Sequence, residues 1–573
     1  MPTPPGREAF LDFAASYRMR RVADNPGCDR IGVSLHAIPF FRRSVKKDKL
    51  GNYFGAVNKS TLTYGKSSIE PDRSRVDITS ENLIHNPFEF KVKYNKNTNQ
   101  LYLNPSVSPA SSDPVGEAHV KWQDLIFYTS ASTTNIPRVG GGSPGSGPFT
   151  FSTVRLNEYR EGLDKFNSDF KSGPSGEFSL NPESSAYGVK LGLYLNLPNV
   201  GYLKINLPIL RVENDLKINF VDDRSDVLAR FLSGEYEKPY VALAATTATY
   251  DDERSADAGG APFFITTYSV FKDPMVGSAG AQEALKNLKI NFGKLKSNFG
   301  LGDLEVTLGS RIVDMPACDH GLFVNLVVPL SEEAKSEFLF EPLRGNGKHF
   351  EIGAGIEGTL DWFNWARINV EAFYNIGMGY SFSAQETRTL DVFLDAKLQY
   401  PWQRYFLVAE LGKPGALIPL ANLTTLKVDV RPGLRMEGFV GLGLSVGEVS
   451  GDFGWGFLAR ETERVRLASD WPSKKYAVVN AADFRTYEAL SLAKGSPHTF
   501  GTSNNTTIEV GELDLNSAAT PAQFSQTIWG AITYTLPQKG YPLAFTLGGN
   551  YEFGNDAAVM TNWMVWLKAS VAF

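Results

Sequence analysis

The chain has 573 residues, a net charge of −5 and a mean hydropathy of −0.19. So mild a charge excludes a dedicated nucleic-acid binder, whose domain would be strongly basic, and no run approaches the ~18 apolar residues of a transmembrane helix. Neither value excludes a membrane β-barrel, whose strands alternate apolar and polar residues and so average like a soluble protein; 12% aromatics and 53 glycines suit many strands joined by tight turns.

In "MPTPPGREAFLDFAASYRMRRVAD" the basic cluster follows the apolar residues, the reverse of a secretory leader. A leader was therefore either removed or never present. Phe10, Phe13, Ala14 and Tyr17 have helical spacing, so residues 1–27 are expected to form an N-terminal helical segment, periplasmic or plug-like, apart from residues 28–573. "DRIGVSLHAIPFF", "FEFKVKY", "AHVKWQDLIFY", "AYGVKLGLYLNL", "GYLKINLPIL" and "GLFVNLVVPL" read as strands. Asp222 to Leu232 and Ala279 to Leu288 have helical spacing and are expected as loop helices or lumen inserts. "VGGGSPGSGP" is a flexible loop; it lacks the Lys-Ser/Thr ending of a phosphate cradle.

The second half alternates more strictly. "FEIGAGIEGTLDW" puts Phe350, Ile352, Ala354, Ile356, Leu360 and Trp362 on one face and Glu351, Glu357 and Asp361 on the other. "RINVEAFYNIGMGY", "LDVFLDAKLQY", "LRMEGFVGLGLSV" and "LAFTLGGNYEF" repeat the pattern. In the closing "NWMVWLKASVAF", Trp563, Val565, Leu567, Ala569, Val571 and Phe573 share one face. Ten steps at about 3.3 Å, tilted by about 40°, project to roughly 25 Å, the height of the apolar band on an outer-membrane barrel. With the C-terminus set in the periplasm, short and long connections alternate backwards to about residue 301. "PQKGYP", "GEVSG", "PWQ" and "FNWA" read as inner turns, and about 461–523 as a long extracellular loop. Arg431-Pro432-Gly433 is the one bend that would break this parity if it were a turn.

These residues resemble the bacterial outer-membrane β-barrel class, porins most of all; the "ETRTLDVFLDAKLQYPWQRYFLV" stretch is similar to large uncharacterised barrels of bacterial genomes. The resemblance implies an all-β, closed antiparallel transmembrane barrel in the outer membrane. About 16 strands are expected, within 14–18, with short helices in the loops and the N-terminal helix. It implies outer-membrane lipid and the barrel-assembly machinery as partners, with Phe573 as the C-terminal residue that machinery reads, and a homotrimer. A strand ending on Phe573 is expected to close the cylinder against the first strand, near 29–41. The alternative is a soluble β-sandwich, whose strands are shorter.

With the apolar faces toward lipid, Glu351, Glu357, Asp361, Arg367, Glu371, Asp391, Asp395, Lys397, Arg435, Glu437, Glu552 and Lys568 line the lumen. Charges are costly in hydrocarbon and cheap in water, so a hydrated interior follows, in which most of these charges pair with one another. Cys28 and Cys318 both fall on the periplasmic side and are either one bridge or two free thiols. Among the histidines, only His36 and His349 lie near strand ends, and neither belongs to a catalytic motif. No enzymatic activity, cofactor or metal site is expected. The reading is a porin-like channel for passive diffusion of small polar solutes, weakly cation-selective. The alternatives are a plugged transporter for apolar compounds, using Phe10, Phe13 and Tyr17, and a structural or adhesive surface barrel.

Overall fold

A barrel wall needs strands with a side-chain period of two and no free edge. The computed structural model of the chain meets both conditions with twelve strands. In chain order they are β1 (Gly32–Ser44), β2 (Glu183–Leu197), β3 (Gly201–Asp215), β4 (Leu304–Met315), β5 (Cys318–Val328) and β6 (Glu351–Trp365). There follow β7 (Ile368–Ser381), β8 (Gly433–Val446), β9 (Val449–Arg460), β10 (Gln523–Leu536), β11 (Leu543–Gly554) and β12 (Asn562–Ala572). The structure describes Leu11, Arg404 and residues 32–45, 181–197, 201–222, 283–292, 295–315, 317–365, 368–392, 407–410, 417–478, 508–536, 541–554 and 559–573. It also describes the backbone of strands 61–64, 89–95, 101–102, 115–121, 128–131, 149–152 and 176–179.

Every barrel strand pairs antiparallel with its neighbours in chain order, and β12 pairs with β1 from Ser34↔Ala572 to Ser44↔Asn562. Phe573 and Val33 exchange backbone hydrogen bonds of 2.8 and 3.2 Å at the seam. Following the registers once around returns to β1 about 14 residues further on, which gives a strand tilt of about 39° and a Cα radius of about 12 Å. So narrow a cylinder lets large side chains from opposite walls approach each other.

The expected count of about 16 strands is corrected to twelve. β7 pairs directly with β8, so the described residues between 382 and 432 stand outside the wall. Of the expected strand "LDVFLDAKLQY", Asp391–Val392 pair with Leu513–Asp514 outside the barrel; its residues from 393 on, and "PWQ", lie outside the described residues. Two strands drop out together there, which is why the alternation of loops survives. "FEFKVKY" likewise forms a separate sheet, Glu89–Asn95 with Leu101–Tyr102 and Val115–Lys121. At the suspect bend, Thr425–Arg431 belongs to that outer region and β8 starts afresh at Gly433. Pro432 has no N–H to give a ladder, and Gly433 takes φ +82, a left-handed value that favours glycine.

Short connections share the rim that holds Phe573, here called the turn rim; the long ones share the opposite, loop rim. The tightest joins β8 to β9 through Gly447-Glu448, with Gly447 at φ +61 as the first residue of a two-residue hairpin. Lys296–Leu301 continues β4 upward and pairs with β3. The break at Gly302–Asp303 faces Pro208, whose carbonyl accepts the Gly302 N–H at 2.8 Å.

Helix is scarce among the described residues: Leu11 is helical inside the barrel, Arg404 lies in a 3₁₀ turn, and Leu420–Thr424 and two further 3₁₀ turns stand at the loop rim. Residues 283–288 of the expected helix Ala279–Leu288 are not helical. The rest of residues 1–27 beyond Leu11, Cys28 and the expected helix beyond residue 222 lie outside the described residues. Cys318 is a half-buried free thiol.

The wall is turned inside out. Ile352, Ile356, Val440, Leu442, Ile532 and Leu547 point outward and are exposed, while Lys190, Glu371, Thr533, Thr546 and Lys568 point inward and are buried. Aromatic residues ring the outer surface at both ends: Trp362, Trp365, Tyr541 and Phe573 near the turn rim, Phe350, Phe382 and Phe524 near the loop rim. An apolar band between two aromatic girdles is what a bilayer requires of a barrel. The chain is a transmembrane β-barrel of the outer-membrane kind.

Candidate functional site

Any passage through such a barrel runs along the inward residues. Among the sequence-selected set, Glu351, Glu357, Glu371, Arg435, Glu552 and Lys568 are buried on the inner face. Asp361 and Glu437 lie on the same face and are half-buried. Arg367, Asp395 and Lys397 lie outside the described residues. Asp391 is off the wall: Arg404 grips its carboxylate with two hydrogen bonds of 2.8 and 2.6 Å. Burial raises the Asp391 carboxyl above its ordinary value and outweighs Arg404, which lowers it.

The inner charges meet in pairs. Arg42 reaches Glu552 at 3.4 Å, while Ser525 and Asn562 donate to the same carboxylate at 2.9 and 2.7 Å. Lys204 donates to Glu357 at 3.2 Å, and Asn375 adds a bond of 3.1 Å. Arg435 bridges Glu351, at 3.5 Å, and Glu437. Between these last groups lies a polar cavity of about 70 Å³, whose walls include Lys204, Asn206, Glu305, Asn325, Asn375 and Arg435. A cavity of that size takes a few waters or one small polar group.

A second, apolar cluster fills the inside of the wall. Phe373, Phe439 and Trp529 stand with ring centroids 5.9–6.3 Å apart. Ile38, Met564 and Trp566 belong to the same buried cluster, as does Leu11 from the N-terminal segment. The Leu11 carbonyl accepts a hydrogen bond of 3.1 Å from Lys568 Nζ. Large rings fit because glycines lie across from them: Trp529 is in register with Gly454, and Trp566 with Gly548. A Cβ on Gly454 would stand 2.7 Å from the Trp529 ring, and one on Gly548 2.2 Å from that of Trp566.

Sequence reasoning missed two things here. Arg42, Lys190, Lys204 and Glu305 complete the inner pairs from the noisier first half; their alternation with Phe41, Leu191, Leu203 and Val306 was the available signal. The inward rings were the other. Phe373 shares its face with Glu371 and Asn375, and Trp529 faces a glycine, a pattern visible only once strands are paired.

A polar clasp ties the loop-rim segments to the strand ends. His349, just before β6, contacts the Phe382 carbonyl through Nδ1 and Glu386 through Nε2, both at 2.8 Å. Arg388 donates to Glu386 at 2.7 Å and to Glu463 at 3.0 Å, and Arg460, the last residue of β9, donates to Glu463 at 2.6 Å. Burial pushes the Glu463 carboxyl up, but the surrounding positive charge, led by Arg388 and including Arg460, together with the Thr520 N–H outweighs it and holds the group at about 2. Glu386 is likewise held below the usual carboxylate range: burial raises it, while His349 and Arg388 lower it by more.

No protein-family model matches the chain, and no curated protein is similar to it in sequence. Among solved structures, an outer membrane channel from Pseudomonas putida is similar at 8% identity, covering 82% of this chain and 100% of that one, with a TM-score of 0.31. A Pseudomonas aeruginosa FadL homologue is similar at 7% identity, over 95% and 90% of the two chains, with a TM-score of 0.24. The transport unit of the autotransporter AIDA-I from Escherichia coli gives 7%, 98% and 97%, with a TM-score of 0.21. At such scores these likenesses add nothing to what the chain's own ladder shows.

Proposed function

We propose that the chain is an outer-membrane diffusion channel for small polar solutes, kept narrow by its inner pairs and held nearly closed at rest by its N-terminal segment. The observation that carries this reading is Leu11, fully buried among inward side chains and held through its carbonyl by Lys568. A lysine inside a barrel needs acceptors, and a backbone carbonyl brought in from outside the wall supplies one. The polar cavity supports passage of polar solutes: acids and bases stand on the same stretch of wall, with asparagine amides between them. Glu351, Glu357, Asp361, Glu371, Arg435, Glu437 and Glu552 would line the path, with weak cation preference that fades as salt screens the charges. Phe573 would be the residue presented to the assembly machinery.

A transporter for apolar compounds is the second reading. It is favoured by the rings of Phe373, Phe439 and Trp529, which sit where a solute would pass. Planar-bilayer recording of the full chain, of Lys568→Met and of a variant lacking residues 1–27 tests the channel, and uptake of an apolar probe by the full chain without ion current would favour the transporter. Near-silence in the full chain, with steady, salt-dependent currents after deletion and more frequent openings in Lys568→Met, is the expected result. Silence in all three proteins overturns the channel.

A further inference from the structure

Beside the mouth, three strands form a small sheet at the loop rim: Ala384–Thr389, Thr425–Arg431 and Arg464–Leu467. One face buries Glu386, Val428, Val430 and Val465. Alternation therefore puts Lys427, Asp429, Arg431, Arg464 and Arg466 on the other. Lys427, Arg431, Arg464 and Arg466 are exposed. Arg431 stands directly opposite Arg464 in the ladder, an arrangement that like charges disfavour unless something negative lies over them. Asp429 is opposite Arg466, but among the described residues none of the three arginines has an ion-pair partner. Lys427 reaches Glu333 at 3.3 Å, and the nearby Glu461 carboxylate accepts the Leu434 N–H.

The face is continuous with the lipid-facing wall. The Arg431 guanidinium lies 5.4 Å from the centre of the Tyr380 ring. Tyr380 is in register with Ile352 and Leu434, both outward and exposed. Its ring meets Phe382 at 5.3 Å, and Phe382 meets Phe350 at 5.9 Å. Those rings form the loop-rim girdle, which marks the level of lipid headgroups. Three forked guanidiniums immediately above that level match phosphate in charge, geometry and depth.

We propose that this face, centred on Arg431, Arg464 and Arg466, binds the phosphate groups of anionic lipid in the leaflet around the loop rim. The lipid's acyl chains would lie along the outward apolar residues of β6 to β8. The site is distinct from the lumen and is independent of whether the barrel conducts.

Native mass spectrometry of the full chain in neutral detergent tests the proposal, with a doubly phosphorylated glycolipid and its dephosphorylated form as probes. The intact protein should retain the phosphorylated lipid, and Arg431→Gln/Arg464→Gln/Arg466→Gln should retain at least about tenfold less, the equivalent of one charge-assisted hydrogen bond. The corresponding triple lysine variant should fall between them, since it keeps the charge and loses the fork. Lys286→Gln, on another part of the rim, should change nothing. Heat-dependent gel mobility confirms that each variant is still a folded barrel. Equal retention by the triple Gln variant, indifference to lipid phosphate, or inorganic phosphate binding as well as the lipid would overturn it.

Discussion

The wall and the loop rim solve burial in opposite ways. On the wall, Leu442 and Ile532 are exposed and Lys568 and Glu371 are buried. At the rim, Leu390, Val392, Val408, Val428, Trp471 and Leu513 make an ordinary hydrophobic core, and Lys427 and Arg466 face out. Both regions use strands of period two. The alternation is the same, and the solvent on each side differs: lipid removes the cost of exposing leucine, and a narrow polar interior keeps charges paired. Buried charge behaves differently too. In the wall it forms separate pairs; at the rim its longest run is a chain, Glu386–Arg388–Glu463–Arg460, joined by the His349 hydrogen bond to Glu386, that ties loops to strand ends.

Removing the centre of that chain should break the comparison most strongly. Arg388→Met leaves Glu386 and Glu463 buried without their shared partner, at a cost of about 3–5 kcal/mol confined to the rim. Limited proteolysis should then cut loop-rim segments quickly while the barrel keeps its heat-dependent gel mobility. A barrel that unfolds with the rim would show the two regions to be one cooperative unit.

The wall's opposite rule predicts the next largest effect. Leu442→Arg puts a charge on the lipid face and should cost about 2–4 kcal/mol near the membrane midplane. The same arginine in place of the exposed rim residue Asp470 should change stability by less than about 0.5 kcal/mol. Equal effects, measured by denaturant titration of refolded barrels in lipid, would remove the distinction.

Acid should loosen the rim before the wall. Glu463 is held at about 2 against an ordinary 4.5, so its ionised form contributes fully above about pH 4.5 and is lost as pH falls toward 2. The contribution is at most about 3 kcal/mol. Hydrogen exchange at residues 461–467 should rise across that window, and Glu463→Gln should flatten the response.

The smallest effect concerns the inner packing. Gly454→Val forces the Trp529 ring aside and should cost about 1–3 kcal/mol through overpacking. Gly511→Val, at a rim position with open space around it, should be nearly neutral. A lower temperature of gel conversion for the first variant alone is the expected readout.

By itself the sequence determined that the chain is β-rich and which residues of each second-half strand share a face. Those follow from a period of two that needs no partner to be read. Glu351, Glu357, Glu371, Arg435, Glu552 and Lys568 could be assigned to the inner face for the same reason. Only the tertiary structure decided the strand number. "LDVFLDAKLQY" alternates as well as any wall strand, yet β7 pairs with β8 and its described residues, Asp391 and Val392, pair outside the barrel. Pairing registers likewise decided that Trp529 covers Gly454, that Lys204 meets Glu357 across 153 positions of sequence, and that Leu11 enters the cluster. Alternation fixes the direction of a side chain, whereas its partner depends on a closure set by all twelve strands together.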